Sequence, residues 1–408
     1  MTPEKVYIGI DLNDERAMVS LFYEGMKQVE TVSAVPGEER FQIPLAVFCT
    51  GQGNYYYGEE ALRRQDRTDG TFFTGLFSEA LDPEHVISRN MLVQFLRRLI
   101  RFRERYGLEK MEYCLAVAIP EITDQTVELF DFVRGELELE PDCFRLMDYS
   151  ESFFAHTYHQ EASVWMHDVA LFDYQGNRIV FLLLHTDGTG AVKRVACGRR
   201  EWTVPGYLQE YAEQKDEFFA NIVREAFMKK IISGVYFIGD GFDGGWLRES
   251  LRVVGTNKRV FKGKNLYTRG ACLAAYRNDV TRGWNYYFDC PYKLHGELSL
   301  KLMKDGEPYF LRLTQLGENW FEPTERYFLM YEGKPELEVL IRVRERMSVR
   351  TECFVPDHLP ERDASGIRFS LQAVPVSGSR VLLRLKDDGF GELFESTGKT
   401  WEFAVDLG

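Results

Sequence analysis

The chain has 408 residues, 45% of them hydrophobic and 28% charged, which is long enough for two or three cores and too apolar for a disordered tail. A formal net charge of -13 argues against a nucleic-acid backbone or an anionic membrane as the main partner, while leaving room for a local basic patch. The opening MTPEKVYIGI lacks a signal core, and no apolar run approaches the roughly 18–20 residues of a membrane span. Seven scattered cysteines suit reduced thiols in a cytoplasm better than a disulfide framework or a zinc site.

The first expected element is a hairpin over residues 7–25. Val6, Ile8 and Ile10 alternate with Tyr7 and Gly9, the polar run from Asp11 to Arg16 interrupts, and apolar character resumes at Ala17. Asp11, just past a buried strand, stands where several nucleotide-binding folds put a metal-orienting aspartate. More strands are expected over 43–58, then a helix over 89–106 with Leu92, Phe95, Leu96, Leu99 and Tyr106 at helical spacing and arginines elsewhere. A buried strand at 113–120 precedes a helix capped by Thr123 or Asp124, with Val127, Phe130 and Val133 inward. A second hairpin spans 168–185 and turns at Gln175-Gly176-Asn177. A long helix is predicted from Pro205 to about Lys230, with Leu208, Tyr211, Phe218, Ile222 and Phe227 on one stripe. Then come a strand at 234–238, a Gly-rich turn and a helix from Trp246.

Past Tyr276 the texture changes to short strands and turns, at 296–313, 325–345 and 380–396, which predicts an all-β sandwich. The domain boundary is expected between Tyr276 and Pro291, giving domains 1–284 and 285–408, with the aromatic-rich 285–292 as a packed linker.

Chemistry-bearing motifs are few. GDGFDG at 239–244 is a literal G-x-G-x-x-G after a strand, whose Gly239, Gly241 and Gly244 would permit close approach to a pyrophosphate at a helix N-terminus. A dinucleotide site also wants an acidic residue about 20 positions on. Here NKRVFKGKN (257–265) is basic and would suit only a 2′-phosphate. Glu151, His156 and His159 fall on one helix, where the histidines at i, i+3 offer a metal pair without the further ligands a site needs.

In order, the segments resemble the actin-like (ribonuclease H-like) ATPase fold, and specifically seventy-kilodalton heat-shock chaperones of the DnaK type. YIGIDLNDERAMVSLFY is similar to that family's first phosphate hairpin, and VALFDYQGNRIVFLLL stands where its second should be. IPLAVFCTGQGNYYYGEEALRR, LAVAIPEITDQTVELFDF, VYFIGDGFDGGWLRESL and YTRGACLAAY resemble, in turn, its next strand pair, a strand and helix, its adenosine segment and its small-residue helix. WFEPTERYFLMYEGKPELE and RFSLQAVPVSGSRVLLRLKDDGFGELFESTGK resemble stretches of the peptide-binding β-sandwich, with a D-x-G-x-L-like turn at Asp388, Gly389, Gly391 and Leu393.

The resemblance implies an actin-like ATPase-type domain followed by a β-sandwich, with a nucleotide site at Asp11, Asn13, Asp173, Gly176, Gly239, Gly241 and Gly244. Departures from the family argue that this site is vestigial. The family's Gly-Thr-Thr phosphate cradle is replaced by Asn13-Asp14-Glu15, whose added carboxylates would repel a polyphosphate, and its triple glycine is replaced by YQGNR. The family's catalytic lysine falls in TFFTGLFSEAL (71–81), which has none, and its catalytic glutamate aligns with Ser150 or Glu151. Only 66 positions (239 − 173) separate Asp173 from Gly239, which predicts a shortened second lobe. No helical lid is expected after the sandwich. The expectation is a non-catalytic chaperone-like binding or scaffold protein that takes a protein or extended peptide, with no cofactor. Mg-ATP or Mg-ADP would bind only if the site is functional. An active ATPase with a non-standard phosphate site and a dinucleotide enzyme using GDGFDG are the alternatives.

Overall fold

The first strand, Lys5–Leu12, has every residue after Lys5 buried, so both of its faces are covered. It pairs antiparallel with Arg16–Tyr23 on one side and parallel with Glu112–Ile119 on the other. In this computed structural model residues 5–188, 192–280, 285–330, 336–343, 349–359 and 368–408 are described, with only the helical backbone given for 278–280.

The chain divides into two compact units, Met1–Tyr286 and Tyr287–Gly408. The first is mixed α/β and is built on two sheets of one design. In strand order, the first sheet runs Glu30–Val32, Arg16–Tyr23, Lys5–Leu12, Glu112–Ile119, Phe144–Asp148. The second runs Lys193–Thr203, Arg178–Asp187, Asp168–Gln175, Ile232–Ile238, Arg259–Gly263. In each sheet the three hairpin-linked strands are antiparallel and the last two join in parallel. A helix bridges each parallel crossover, as such connections require. Val86–Ile100 and Asp124–Glu136 serve the first sheet, and Ala212–Phe227 and Glu249–Val254 serve the second. A final helix follows each fifth strand, Tyr149–Tyr158 in the first half and Leu266–Val280 in the second.

These two final helices meet backbone to backbone. A Cβ on Gly270 would stand 2.0 Å from the Ser152 carbonyl oxygen, and Ser152 Oγ donates to the Tyr267 carbonyl at 2.5 Å. Leu266–Val280 also crosses to the first sheet. Thr268 Oγ1 donates to the Gly9 carbonyl at 2.9 Å, and a Cβ on Gly9 would lie 2.2 Å from the Thr268 oxygen. The small residues of TRGACLAA are therefore what let the helix approach.

Two helical expectations are corrected. The segment from Pro205 is a 3₁₀ turn, Gly206–Gln209, and then a helix, Ala212–Phe227, whose buried stripe carries Phe219 rather than Phe218 and leaves Tyr211 exposed. The helix expected from Trp246 begins only at Glu249. The helix expected over 89–106 is an α-helix, Val86–Ile100, tightening into a 3₁₀ turn over Arg101–Tyr106. Thr123 caps its helix with a capping box shared with Thr126.

The second unit holds two four-stranded antiparallel sheets, ordered Glu307–Thr314, Gly296–Lys304, Leu337–Val343, Val349–Phe354 and Arg326–Met330, Arg368–Ser377, Arg380–Asp387, Thr400–Asp406. Leu298, Leu300 and Ile341 of one sheet and Leu371, Leu383 and Val405 of the other fill a single core. Among the described residues this unit has no helix. Residues 331–335 and 344–345, part of the stretch 325–345 expected as short strands and turns, lie outside the described residues. Within 380–396, expected as strand and turn, the strand is Arg380–Asp387, and the Asp387 carboxylate gathers Thr397 N, Thr397 Oγ1 and Gly389 N and so organises the following loop.

Candidate functional site

Asp11 and Asp173 occupy matching places, near the end of the first strand of each half. Both side chains are buried. Each accepts a hydrogen bond from a tyrosine in the first turn of a final helix: Tyr149 OH to Asp11 Oδ1 at 2.7 Å, and Tyr267 OH to Asp173 Oδ2 at 3.1 Å. The two phenol rings stack at 4.0 Å with an interplanar angle of 7°. Asp11, Tyr149, Tyr267 and Asp173 thus form one continuous array across the junction of the two halves.

The array is dry. Burial pushes Asp11 from 3.8 up to about 7, with the Tyr149 hydrogen bond and Arg16 pulling the other way. Burial pushes Asp173 up to about 6, against hydrogen bonds from Gln175 and Tyr267. Both phenols are held well above their ordinary range, chiefly by burial. Such an array can store a proton and tie two lobes together. It presents no hydroxyl or carboxylate that is not already bonded within it.

The turn after Asp11 is closed from inside. Asn13 Oδ1 accepts from the amides of Glu15 and Arg16, both at 3.0 Å, and Asn13 Nδ2 donates to Tyr149 OH at 3.3 Å. Asp14 is taken up by the helix Leu76–Ala80, accepting from Ser78 N at 3.0 Å and Ser78 Oγ at 2.6 Å. This corrects the expectation that Asp14 faces the cleft. Gly176 makes the second hairpin's turn with φ 54 and open space around it.

GDGFDG lies beside Asp173 but does not open a helix; it makes a 3₁₀ turn at Asp240–Phe242. Its glycines are explained by packing. A Cβ on Gly239 would stand 2.4 Å from the Tyr174 carbonyl oxygen, and one on Gly241 would stand 2.3 Å from the Tyr174 ring. The neighbouring lysines hold the loop itself. Lys262 Nζ donates to the Phe242 carbonyl at 2.5 Å, and Lys264 Nζ reaches Asp240 and Asp243, each at 2.6 Å. Lys215 lies over the rings of Tyr174 and Trp246 and donates to the Gly241 carbonyl at 3.1 Å. The basic run that would suit a 2′-phosphate is therefore already engaged. Gly244 has φ 87 and ends the loop.

Asp240 also bonds across to the first half, to Arg16 and Gln42, each at 3.3 Å. Two cavities of about 640 and 600 Å³ lie elsewhere and do not touch Asp11 or Asp173. Glu151 is paired with Arg145 at 2.6 Å. His156 is buried, with its pKa driven down to about 3, and His159 is held down at about 4, so both rings are neutral. Among the described residues no group of three or more His, Cys, Asp or Glu is placed to hold a metal, and no helix is long and apolar enough to cross a membrane.

Tyr149 and Tyr267 are the site residues that sequence reasoning missed. Their signal was positional: an aromatic in the first turn of the helix after the fifth strand of each half, in DYSESFF and in NLYTRGA.

Residues 293–407 match a domain of unknown function, DUF8552. No curated protein matches the chain. Residues 28–291, well over half of its length, match the model described as family of unknown function (DUF5716) C-terminal, and the chain belongs to that family.

Proposed function

We propose that the first unit is an actin-like, chaperone-type ATPase domain whose nucleotide cleft is filled by its own side chains, and that the protein works as a non-catalytic binding or scaffold protein. The twice-used sheet design supports the fold assignment, because a duplicated βββαβαβα-type half with an aspartate near the end of each first strand is the arrangement the family resemblance implies. One observation carries the functional reading. The rings of Tyr149 and Tyr267 stack at 4.0 Å between Asp11 and Asp173, the two carboxylates a metal-nucleotide would need. Phosphoryl transfer wants preorganised donors and ionised carboxylates free to orient a metal. Here the carboxylates are bonded to phenols and burial favours their protonated form. The first turn's amides are taken by Asn13, and Tyr174 fills the space above Gly239 and Gly241. This donor set does not fit Mg-ATP.

The partner proposed for the sandwich is an extended peptide added at a strand edge. Arg326–Met330 and Glu307–Thr314 are edge strands of the two sheets among the described residues, and Tyr327 OH donates to the Arg312 carbonyl, so both edges lie on one side. Phe328 is 65% and Met330 54% exposed there, which would give a docked strand alternate apolar anchors.

The test is calorimetric titration with Mg-ATP and Mg-ADP, alongside thermal unfolding. No heat and no shift in Tm are expected. A ligand at 100 times its Kd would add about 2.7 kcal/mol. A shift of that size that Asp11→Ala or Asp173→Ala removes would overturn the closed-cleft reading.

A further inference from the structure

We propose that the cavity of about 600 Å³ between the strand Tyr55–Tyr57 and the arginine-rich helix end at residues 97–105 is a binding site for a phosphomonoester whose molecule also bears an aromatic ring. Its volume falls within the roughly 300–1,000 Å³ of small-molecule sites.

One wall is aromatic. Phe95, Tyr57 and Tyr55 form a row with successive ring centroids 6.4 Å apart, and the Tyr55 and Tyr57 rings are nearly parallel at 24°. Phe95 is buried and Tyr55 is exposed, so the row runs from the core out to the opening. A planar ring has a face to stack on there.

The other wall is cationic. Arg97, Arg98, Arg101 and Arg105 line the cavity against two carboxylates, Glu59 and Glu60. Two of the four guanidiniums are already committed: Arg101 to Glu104 at 2.8 Å, and Arg97 to the Glu136 carbonyl at 2.5 Å. Arg98 and Arg105 have no carboxylate partner among the described residues. Arg105 is fixed without being neutralised, since it donates to the Ser33 carbonyl at 2.6 Å and the Ala34 carbonyl at 3.3 Å. Burial lowers the Arg105 pKa and the like charge of Arg98 lowers it further. An anion between them relieves that repulsion, and a planar guanidinium fork matches phosphate oxygens. On a chain of net charge -13, four arginines set against two glutamates leave this aromatic cavity with a local positive excess, and that excess is what selects the ligand.

The site is separate from the Asp11–Asp173 array, and it stands or falls without the closed-cleft reading. The probes are phenyl phosphate, AMP, a phosphotyrosine peptide and inorganic phosphate, titrated calorimetrically into the full chain at low salt without magnesium. Phenyl phosphate is expected to bind at least tenfold more tightly than inorganic phosphate. Arg98→Gln, at an exposed position, is expected to weaken it at least tenfold with Tm unchanged, while Asp11→Ala leaves it as it was. Tyr57→Leu should erase the preference for the aryl ester over inorganic phosphate. Tighter binding of AMP than of the peptide would identify a free nucleotide as the source, and the reverse would identify a modified protein. The proposal is overturned if no probe binds, or if binding survives Arg98→Gln undiminished. Loss of AMP binding in Asp11→Ala alone would overturn it too, and would reopen the cleft as the nucleotide site.

Discussion

The two halves of the first unit share a sheet design and differ in what each hangs on it. In the first half, residues 43–81 insert a small three-stranded sheet, Val47–Thr50, Tyr55–Tyr57 and Gly70–Phe73, before the crossover helix. In the second half, residues 204–211 hold only a 3₁₀ turn before Ala212–Phe227. The central strands differ as well. Gly9 stands two residues before Asp11, where the matching residue before Asp173 is Leu171. The reason is the helix Leu266–Val280, which belongs to the second half yet lies against the first strand at backbone distance. Two halves of one plan have thus been fitted together by side-chain size, and Asp11 and Asp173 survive as the points where they are tied.

The largest expected effect comes from breaking that fit. Gly270→Ala puts a methyl 2.0 Å from the Ser152 oxygen, and Gly9→Ala puts one 2.2 Å from the Thr268 oxygen. Backbone cannot yield as a flexible side chain does, so each should cost about 3 kcal/mol or more, read as a lower urea midpoint. Gly135→Ala is the control. It sits in a helix with nothing within 4 Å, and it should stabilise by about 0.5–1 kcal/mol. If all three behave alike, the halves are not held by close approach.

Next in size is the pH dependence of the array. Asp11 and Asp173 have folded pKa values of about 7 and 6 against an ordinary 3.8. Between those limits the folded chain keeps protons that the unfolded chain has released, so their contribution to stability falls as pH rises. His156 and His159, held down at about 3 and 4, act in the opposite sense over part of the window. The clean quantity is therefore the difference between wild type and Asp11→Asn. Relative to the variant, wild type should lose on the order of 2–3 kcal/mol between pH 5 and 8. Parallel curves would mean that Asp11 is ionised and solvated.

Much of this unit could be read from the sequence. The hairpins at 7–25 and 168–185 and the Thr123 cap followed from alternation and turn chemistry. The small residues of TRGACLAA stood out in the sequence, yet the close approach they permit depends on Gly9, about 260 positions away. GDGFDG misled because glycines that admit a phosphate and glycines that admit the Tyr174 ring are the same glycines, and only the third dimension says which neighbour arrives. Tyr149 and Tyr267 were hidden for a related reason. Their partners Asp11 and Asp173 lie 138 and 94 positions away, beyond the reach of any local pattern.

A smaller effect separates the two ends of the array. Tyr149→Phe removes the phenol hydroxyl that bonds Asp11, whereas Tyr267→Phe leaves Asp173 with Gln175 Nε2 at 3.0 Å. A buried acceptor stripped of a donor costs about 1–3 kcal/mol, so Tyr149→Phe belongs at the upper end and Tyr267→Phe at the lower. Equal losses in chemical denaturation would show that the stacked rings matter and the hydroxyls do not.

The smallest expected effect compares the two hairpin turns. The first is closed by a side chain, with Asn13 Oδ1 accepting two amides at 3.0 Å, and the second by a backbone state, with Gly176 at φ 54. Asn13→Ala frees the amides of Glu15 and Arg16, of which Glu15 is exposed. Water can replace much of the lost bonding there, which limits the cost to about 0.5–1 kcal/mol. Gly176→Ala meets no atom within 4 Å, so its cost is the left-handed backbone alone, about 1 kcal/mol. The turns share no partner, so the double variant should lose the sum of the two within about 0.5 kcal/mol. A clear excess over additivity in the denaturation midpoints would mean that the turns communicate through the tyrosine stack, since Asn13 Nδ2 reaches Tyr149 at one end of it. The array would then be a strut that each turn helps to hold, and no longer a tie between two independently folded halves.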